Sequence, residues 1–373
     1  MPQDVVAIAG HFDLAGRPET VAPITAGHIN DTYVLTTTAG GKAVRYVFQR
    51  INHYVFRNPP QVMENILRVT EHIRERLSHT EPGLARRQLR VIPARDGQGY
   101  YQDADGDFWR AYTYIENAVT YDTIPSTSLA QEAARMFGWF QGLLRDLPAP
   151  PLHETIPGFH DTSRRLEYFG QILKKDAFNR ARHAAAEIDF VLEHAAICEV
   201  LPNLVGQGRF PVRTVHNDTK INNVMLDEVS GTGVCILDLD TVMPGLSVHD
   251  FGDLVRTASC PAAEDERDLS KVVIDAPWFE ALTRGFAQET CRWLAPVERD
   301  HLVFGAKIIT FEQMVRFLTD YLAGDVYYKV HREGHNLDRT HTQMRLVQSI
   351  IEQEESLNGL VRRAFQDNPG DTT

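Results

Sequence analysis

Acidic, amide and basic side chains lie close together in one segment of the chain. Asp218 follows His216-Asn217, and Lys220 and Asn223 come two and five residues after it. An Asp and an Asn at this spacing in one loop can supply a base for an attacking hydroxyl and a ligand for a metal ion. Lys220 can neutralise charge on a transferring phosphoryl group. These residues therefore predict phosphoryl transfer, which requires such groups to be held in an in-line arrangement.

A β-hairpin predicted after this loop brings a second carboxylate to it. Asn223–Asp227 can run out as a strand and Val234–Leu237 can return, with turn residues between them. Because a hairpin brings its two ends together, Asp238 is expected beside Asn223. Two hard oxygen ligands that meet there make a magnesium site, which phosphate oxygens complete. Asp240 should point the same way as Asp238 if the strand continues.

The first third of the chain has the pattern of strands broken by turns. Two β-rich runs flank a Gly-Gly turn, and an amphipathic stretch opened by two prolines predicts a helix. Two Asp-Gly pairs separate three further strands. The predicted strands are Thr32–Thr38, Ala43–Ile51, Leu89–Ala94, Gly99–Gln102 and Phe108–Ile115, and the predicted helix runs from Pro59 to about Leu77.

The remainder of the chain has the pattern of helices, interrupted by one β-like segment at Val212–Leu239. In the first helix Phe137, Phe140 and Leu144 share one face. The predicted helices are Leu129–Leu144, Ala184–Leu201, Pro277–Leu294, Pro296–Leu322 and Thr340–Phe365. The sequence therefore predicts an α+β fold of two lobes, an N-terminal antiparallel sheet lobe and a larger helical C-terminal lobe.

Composition and charge argue against several classes of protein. The chain of 373 residues is 43% hydrophobic and 24% charged, which is ordinary for a globular protein and enough for two lobes. Its net charge of −12 argues against a nucleic-acid partner, which would need a concentrated basic surface. The sequence has neither a signal-peptide pattern nor an apolar run of the ~18–20 residues that cross a membrane. Its four scattered cysteines fit reduced thiols, so we expect a cytoplasmic protein.

The loop pattern H-x-D-x-x-x-x-N resembles that of the aminoglycoside phosphotransferase and choline kinase superfamily, which has a bilobal protein-kinase-like fold. Within this superfamily the chain resembles the N-acetylhexosamine 1-kinases nearly from end to end. Agreement outside the loop is more specific than the loop itself, which occurs in many kinases. The matching segments are GHINDTY at Gly27–Tyr33, VHNDTK at Val215–Lys220, LDTVMPG at Leu239–Gly245, DFGD at Asp250–Asp253, RFLTDYLAGDVYY at Arg316–Tyr328 and HNLDRTHTQ at His335–Gln343.

The resemblance implies a kinase that uses ATP and Mg²⁺ to phosphorylate the anomeric hydroxyl of N-acetylglucosamine or N-acetylgalactosamine. Residues 1–116 would form a nucleotide-binding lobe with a hinge near 114–116. Residues 117–373 would form the mainly helical lobe that carries catalysis and sugar binding. We expect its partners to be these small molecules, with no membrane and no nucleic acid, and the protein to be a monomer.

The resemblance also implies roles for the catalytic and acceptor residues. Asp218 would be the catalytic base in contact with the sugar, and Asn223 and Asp238 would hold magnesium. Arg316 and Tyr327 match positions that line the sugar pocket, where a guanidinium fork and a phenol suit hydroxyl and acetamido oxygens. The remaining acceptor positions are His28, which faces the cleft between donor and acceptor, and Thr241 and Thr257, which fall near the sugar pocket.

The nucleotide side departs from the usual kinase pattern in one respect. Kinases of this fold place a Lys on the third strand to hold the inner phosphates, but this chain has Gln49 there, as its close relatives do. The candidates for neutralising the α- and β-phosphates are therefore Arg50 and magnesium. The other nucleotide-binding positions are Gly27 and Asn30 in the loop over the phosphates, and Tyr114, Ile115 and Glu116 at the hinge, where backbone groups can read the adenine edge.

A second segment spells the metal-binding tripeptide of protein kinases, Asp250-Phe251-Gly252. It lies 32 residues after Asp218 and follows Pro244-Gly245 instead of the return strand. A hairpin of the available length places Asp238, and not Asp250, beside Asn223. We therefore assign the metal to Asp238 and interpret Asp250, with Asp253, as a helix-cap or scaffold carboxylate.

Two alternatives stay open at the level of sequence. The first is another small-alcohol kinase of the superfamily, acting on homoserine, choline, methylthioribose or an aminoglycoside. Choline would require an aromatic cage and an aminoglycoside a strongly acidic pocket, and the sequence neither assembles nor excludes them. The second is a catalytically silent binding module, which would have lost Asp218, Asn223 or Asp238. The sequence also leaves open the preferred epimer, the anomer formed and the effect of Thr257, where relatives carry an aromatic residue.

Overall fold

The N-terminal part of the chain forms a six-stranded antiparallel sheet with two helices. In this computed structural model, residues 2–24, 29–80 and 88–368 are described. The elements are α1 (Pro2–Ala9), β1 (Arg17–Ile24), β2 (Asp31–Ala39), β3 (Lys42–Ile51), α2 (Pro59–Thr80), β4 (Val91–Ile92), β5 (Tyr101–Gln102) and β6 (Phe108–Thr113). The strand order is β1-β2-β3-β6-β4, and β5 also pairs with β6. This order places β3 and β6 in the middle of the sheet.

The hairpin of β2 and β3 follows from its turn and its alternating side chains. Gly40 and Gly41 have φ angles of +57° and +76°, the left-handed region that a two-residue hairpin turn requires at both positions. Leu35 from β2 and Phe48 from β3 are fully buried and pack with Phe12 in a core between the sheet and α1. Burial of this apolar face fixes the register, which pairs Ala39 with Lys42.

The larger C-terminal part is helical and carries five short strands. Its helices are α3 (Thr127–Leu144), α4 (Thr162–Lys175), α5 (Ala185–His194), α6 (Val200–Gly206), α7 (Ser247–Ala258), α8 (Ala276–Thr290), α9 (Pro296–Asp300), α10 (Leu302–Leu322) and α11 (His335–Asp367). Its strands are β7 (Ala118–Val119), β8 (Arg213–Val215), β9 (Val224–Asp227), β10 (Gly233–Ile236) and β11 (Met243–Gly245). One apolar core extends through these helices and includes Phe137, Phe251, Phe286 and Phe311.

The structure confirms the predicted α+β architecture, and it differs from the prediction in particular elements. It adds α1, β1, α4 and α7, none of which the sequence pattern indicated. The predicted helix Ala184–Leu201 is broken by a 3₁₀ turn at Ala195–Glu199, and the predicted helix Pro296–Leu322 breaks at His301. Among the described residues, no helix is long and apolar enough to cross a membrane.

Candidate active site between the two lobes

The predicted catalytic residues lie on one loop between β8 and β9 and on the hairpin that follows it. The N–H of Leu237, just after β10, donates to the carbonyl oxygen of Asn223, just before β9, at 2.8 Å. Within the hairpin Ile236 lies opposite Val224. The structure therefore places Asp238 beside Asn223, at the closed end of the loop that begins at Asp218.

The loop backbone is held by Asp250, which lies in the first turns of α7. The N–H groups of His216 and Asn217 donate to the two carboxylate oxygens of Asp250 at 2.9 and 2.7 Å. The amide of Gln141 donates to the same carboxylate at 2.7 Å. Burial raises the pKa of Asp250, against the opposing effect of these donors. Asp250 thus has the position of a scaffold carboxylate, while Asp253 in the same helix pairs with Arg256 at 2.8 Å.

Asp218 is surrounded by groups that stabilise its charged form. The Lys220 ammonium lies 2.8 Å from its Oδ2, and the Asn223 amide nitrogen donates to the same oxygen at 3.2 Å. Burial by itself would raise the pKa of Asp218, but Lys220, together with His216 and Asn223, outweighs it and holds the pKa below its usual value. Asp218 is therefore an ionised acceptor of hydrogen bonds at neutral pH.

Asp238 is in the opposite electrostatic situation. It has a φ of +57°, which turns the chain sharply at the end of the hairpin. Burial, and then the nearby charges of Asp240 and Asp218, raise the pKa of Asp238 to about 6, against the attraction of Lys220 and Arg110. The negative charge at this position is incompletely compensated by protein groups, which is the condition that a bound cation relieves.

Asp240 does not continue the direction of Asp238. Its side chain is expected to point the same way as that of Asp238 if the strand continues. The strand instead ends, and Leu239–Thr241 forms a 3₁₀ turn. The carboxylate of Asp240 is instead fully buried in a bidentate ion pair with Arg110 of β6. The Asn30 amide donates to it at 2.6 Å. Asp240 therefore joins the hairpin to the sheet lobe.

A buried arginine lies beside Gln49, on the neighbouring strand of the sheet. Gln49 and Arg110 are direct cross-strand partners, and Arg110 Nε donates to Gln49 Oε1 at 2.9 Å. Arg50, the protein cation proposed for the inner phosphates, points to the other side of the sheet because side chains alternate along a strand. It pairs there with Asp31 at 3.0 Å and Asp107 at 2.9 Å, and its side chain is 44% exposed. Arg50 is therefore not among the residues that line the cleft, whereas Arg110, which the sequence pattern did not single out, is one of them.

A cleft of about 840 Å³ lies between the sheet and the catalytic loop. Predicted site residues from both sides line it: Asn30, Gln49, Tyr114, Ile115, Lys220, Asn223, Asp238 and Thr257. Glu116 lies next to it and pairs with Arg45, whose guanidinium covers the Tyr114 ring at 4.0 Å. Gly27 and His28 lie outside the described residues.

The predicted acceptor residues are divided between the loop and α10. The Thr241 hydroxyl donates to the carbonyl oxygen of His216 at 2.8 Å, so it is bound to the catalytic loop. The Thr257 hydroxyl donates to the carbonyl oxygen of Asp253 at 2.9 Å. Arg316 lies over the Tyr328 ring at 5.6 Å, and the neighbouring Tyr327 is 67% exposed. Tyr327 is thus the most exposed of these four residues, whereas Thr257 is the one that lines the cleft.

A buried ion pair that the sequence did not reveal connects α10 to the catalytic loop. His160 Nδ1 donates to Glu312 at 3.0 Å, and its Nε2 donates to the carbonyl oxygen of Asn217 at 2.9 Å. Burial favours the neutral ring, but Glu312 outweighs it and raises the pKa of His160. The same partnership lowers the pKa of Glu312 to about 2, against the effect of its burial. Glu312 lies one helical turn before Arg316, so this pair links the helix that carries Arg316 to the loop that carries Asp218.

The fold and this loop define a phosphotransferase of the protein-kinase-like class. A model of the APH phosphotransferase enzyme family matches residues 20–295. This match covers well over half of the chain, and the protein belongs to that family.

Solved structures of similar fold agree with this assignment. An aminoglycoside phosphotransferase from Alicyclobacillus acidocaldarius has a TM-score of 0.59 at 14% identity, over 98% of this chain and 97% of that chain. A spectinomycin phosphotransferase in complex with ADP and spectinomycin has a TM-score of 0.55 at 14% identity, over 95% and 98%. A choline kinase from Cryptosporidium parvum has a TM-score of 0.52 at 13% identity, over 96% and 94%. At these identities the likeness establishes the protein-kinase-like fold and leaves the acceptor undefined.

Proposed function

We propose that this protein transfers the γ-phosphoryl group of ATP to the anomeric hydroxyl of N-acetylhexosamines in a magnesium-dependent reaction. The observation that carries the transfer is the ionised Asp218, which is held between Lys220 and Asn223 beside a cleft lined from both lobes. The acceptor rests on the resemblance of the segments Gly27–Tyr33, Arg316–Tyr328 and His335–Gln343 to N-acetylhexosamine 1-kinases.

In this proposal Asp218 orients the acceptor and takes its proton late in the reaction. The anomeric oxygen forms a bond to the γ-phosphorus while the bond to the β–γ bridging oxygen breaks, and the hydroxyl proton passes to Asp218. A carboxylate with a lowered pKa is a weak base. It suits an anomeric hydroxyl, which is more acidic than an ordinary alcohol because the ring oxygen withdraws electrons from the same carbon. Lys220 offsets charge on the transferring phosphoryl group.

Asn223 and Asp238 would hold the magnesium ion. The Asn223 amide nitrogen is committed to the carbonyl and carboxylate oxygens of Asp218, at 2.8 and 3.2 Å, which leaves its amide oxygen for a metal. The raised pKa of Asp238 supports a cation at this place. Within the described residues, no group of three His, Cys, Asp or Glu side chains could hold a metal ion. When bound, magnesium would neutralise phosphate charge, and nucleotide oxygens would complete its coordination.

The nucleotide would lie in the cleft with its adenine near residues 114–116. This proposal keeps residues 1–116 as the nucleotide lobe and 117–373 as the catalytic and sugar lobe. Its support is that Tyr114 and Ile115, which directly follow β6, line the same cleft as Lys220 and Asp238.

On the acceptor side we propose that Arg316 and Tyr327 read the acetamido group of the sugar. Asp320 accepts hydrogen bonds from the N–H groups of Tyr327 and Tyr328 at 2.8 and 2.9 Å, which fixes the loop after α10. Arg316 is close enough to Arg165 for the two positive charges to repel, which adds to burial in lowering the pKa of Arg165. Two neighbouring guanidinium groups disfavour a cationic acceptor such as choline or an aminoglycoside.

A kinase assay over a panel of acceptors tests this function. N-acetylglucosamine, N-acetylgalactosamine, glucose, galactose, choline and homoserine are compared at equal concentration, and phosphorus NMR locates the new ester. We expect the two N-acetylhexosamines to give 1-phosphates at the highest kcat/KM. Transfer to choline or homoserine alone would refute the acceptor and leave the phosphotransferase assignment intact.

A further inference from the structure

Arg110 stands at the point where the nucleotide lobe meets the catalytic hairpin. It lies on the central strand β6, lines the cleft with Gln49 and Asp238, and is 1% exposed. A charged side chain this deeply buried is costly unless it is paired, and Asp240 supplies a bidentate partner. The ion pair explains why the charge is tolerated, but a pair of apolar residues could fill the same space at no greater cost.

The surroundings of Arg110 provide the geometry of an anion site. Its guanidinium carries five N–H groups. Asp240 accepts from one on each terminal nitrogen, and Gln49 accepts from Nε at 2.9 Å. Two N–H groups of Arg110 therefore remain without a hydrogen bond among the described residues. Gln49 is itself held by Thr32, to which its Nε2 donates at 3.1 Å, so the guanidinium plane is fixed from two sides.

The position of Arg110 also accounts for the missing lysine of β3. Gln49 stands where a kinase of this fold carries that lysine, and Arg110 is its direct partner on the adjacent strand. Side chains of paired residues point to the same face of a sheet, so the positive charge is displaced sideways by one strand spacing, ~4.8 Å. Asp240 then pairs with Arg110 in the way that a carboxylate pairs with the third-strand lysine in kinases of this fold.

We propose that Arg110 binds the inner phosphates of the nucleotide, with Asp240 and Gln49 as its positioning residues. This inference rests on the proposed function in one respect, namely that an adenine nucleotide occupies the cleft. An arginine suits this place because its planar fork can hold a carboxylate on one edge and a phosphate oxygen on another.

Nucleotide binding, measured by calorimetry with Mg²⁺ and without an acceptor, tests the proposal. ADP and adenosine are compared on the wild type and on Arg110→Met. We expect ADP to bind about 10- to 100-fold more weakly to the variant, the range of one lost charge-assisted bond, and adenosine to change by less than about twofold. An equal loss for both ligands, or unchanged ADP binding by a folded variant, would overturn the proposal.

Further variants keep the test decisive if Arg110→Met fails to fold. Arg110→Met combined with Asp240→Asn removes both charges, so no unpaired ion is left in the interior, and the same selective loss of ADP affinity is expected. Arg110→Lys retains a charge and should recover part of the ADP affinity. Arg50→Met is the matched control, since this arginine lies on the other face of the sheet, and it should leave both ligands unaffected. A wild type that binds no adenine nucleotide would refute the proposed function itself, whereas normal transfer by Arg110→Met at unchanged ADP affinity would refute only this inference.

Discussion

The two central carboxylates of the site are prepared for different tasks by their neighbours. Asp218 has a lowered pKa because Lys220 and Asn223 outweigh the effect of its burial, whereas Asp238 has a pKa raised to about 6 by burial and by Asp240. A pair of carboxylates whose pKa values are pushed apart is a common sign of divided chemical roles. In the proposed reaction the ionised Asp218 would orient the acceptor, and Asp238 would bind the cation.

Replacement of Asp218 by Asn should therefore abolish turnover and leave the nucleotide bound. The amide cannot take the proton, and a positioned base contributes about 10²- to 10⁴-fold to such reactions. We expect kcat to fall by that factor while the Kd for ATP changes by less than about twofold, as measured by a coupled ADP assay and calorimetry. Asp105→Asn, in an exposed turn, is the matched control. More than about a tenth of the wild-type rate in the variant would exclude Asp218 as the base.

The magnesium requirement should depend on pH through Asp238. A carboxylate with a pKa of about 6 is protonated below that pH and must lose the proton to bind a metal. The apparent Mg²⁺ affinity should therefore fall as the pH decreases from about 7 to 5 and should level off above about 7, as followed by Mg²⁺ titrations of activity across this range.

Asp238→Ala should lose magnesium-dependent activity. Asp250→Ala should chiefly lower stability, and if it instead shifted the magnesium requirement while Asp238→Ala did not, the metal assignment would be wrong.

At the scale of elements, the packing of α7 gives the Asp-Phe-Gly tripeptide a structural role. A methyl group at Gly252 would lie 2.3 Å from the carbonyl oxygen of Gly305 on α10, and one at Gly305 would lie 2.2 Å from that of Val248 on α7. The two helices therefore cross backbone to backbone at this point, which only glycine permits. The close crossing holds α7 in the position from which Asp250 accepts hydrogen bonds from the N–H groups of the catalytic loop.

Gly305→Ala should consequently destabilise the protein. The obstructing atoms belong to the backbone and cannot rotate away, so the helices must separate, at a cost of about 1–3 kcal/mol for an overpacked core. Gly170→Ala is the control, because this glycine lies in α4 with no atom within 4 Å of the added methyl group. It should be neutral or stabilising by about 0.5–1 kcal/mol. Denaturant unfolding of the two variants should give opposite or clearly unequal shifts, and equal shifts would contradict the crossing argument.

The elements that the sequence predicts well are those that local pattern determines. The loop and hairpin around Asp218 lie within a few tens of residues, so turn signals and strand propensity suffice to place Asp238 beside Asn223. The helix α7 is not among the predicted helices, and ten of its twelve residues are buried, including the polar His249, Asp250 and Asp253, so its polar face lies inside the protein and marks no exposed surface. The pairs Arg110–Asp240 and His160–Glu312 join residues 130 and 152 positions apart, and no local pattern encodes such contacts.

At the scale of the whole molecule, the residues proposed for the nucleotide and those proposed for the acceptor lie on different parts of the chain. The cleft that would hold the nucleotide is lined by the sheet, the hinge and the hairpin, whereas Arg316 and Tyr327 come from α10 and the loop that follows it. The His160–Glu312 pair joins the second group to the catalytic loop. Donor binding and acceptor binding should therefore respond separately to substitution.

Arg316→Ala should raise the KM for N-acetylglucosamine far more than the KM for ATP. A sugar acetamido oxygen that loses its donor in a desolvated site is disfavoured by about 1–3 kcal/mol, which corresponds to roughly 5- to 150-fold in kcat/KM. The same variant should lose its preference for N-acetylated sugars over glucose and galactose, because the group that reads the acetamido is gone. Arg316→Lys should restore little, since an ammonium cannot reproduce the guanidinium fork. Arg284→Ala, which removes an exposed arginine paired with Glu280 on α8, is the control and should change neither KM. A comparable rise in both KM values would show that Arg316 supports the fold of the site, and a retained preference for N-acetylated sugars would show that the acetamido group is read elsewhere.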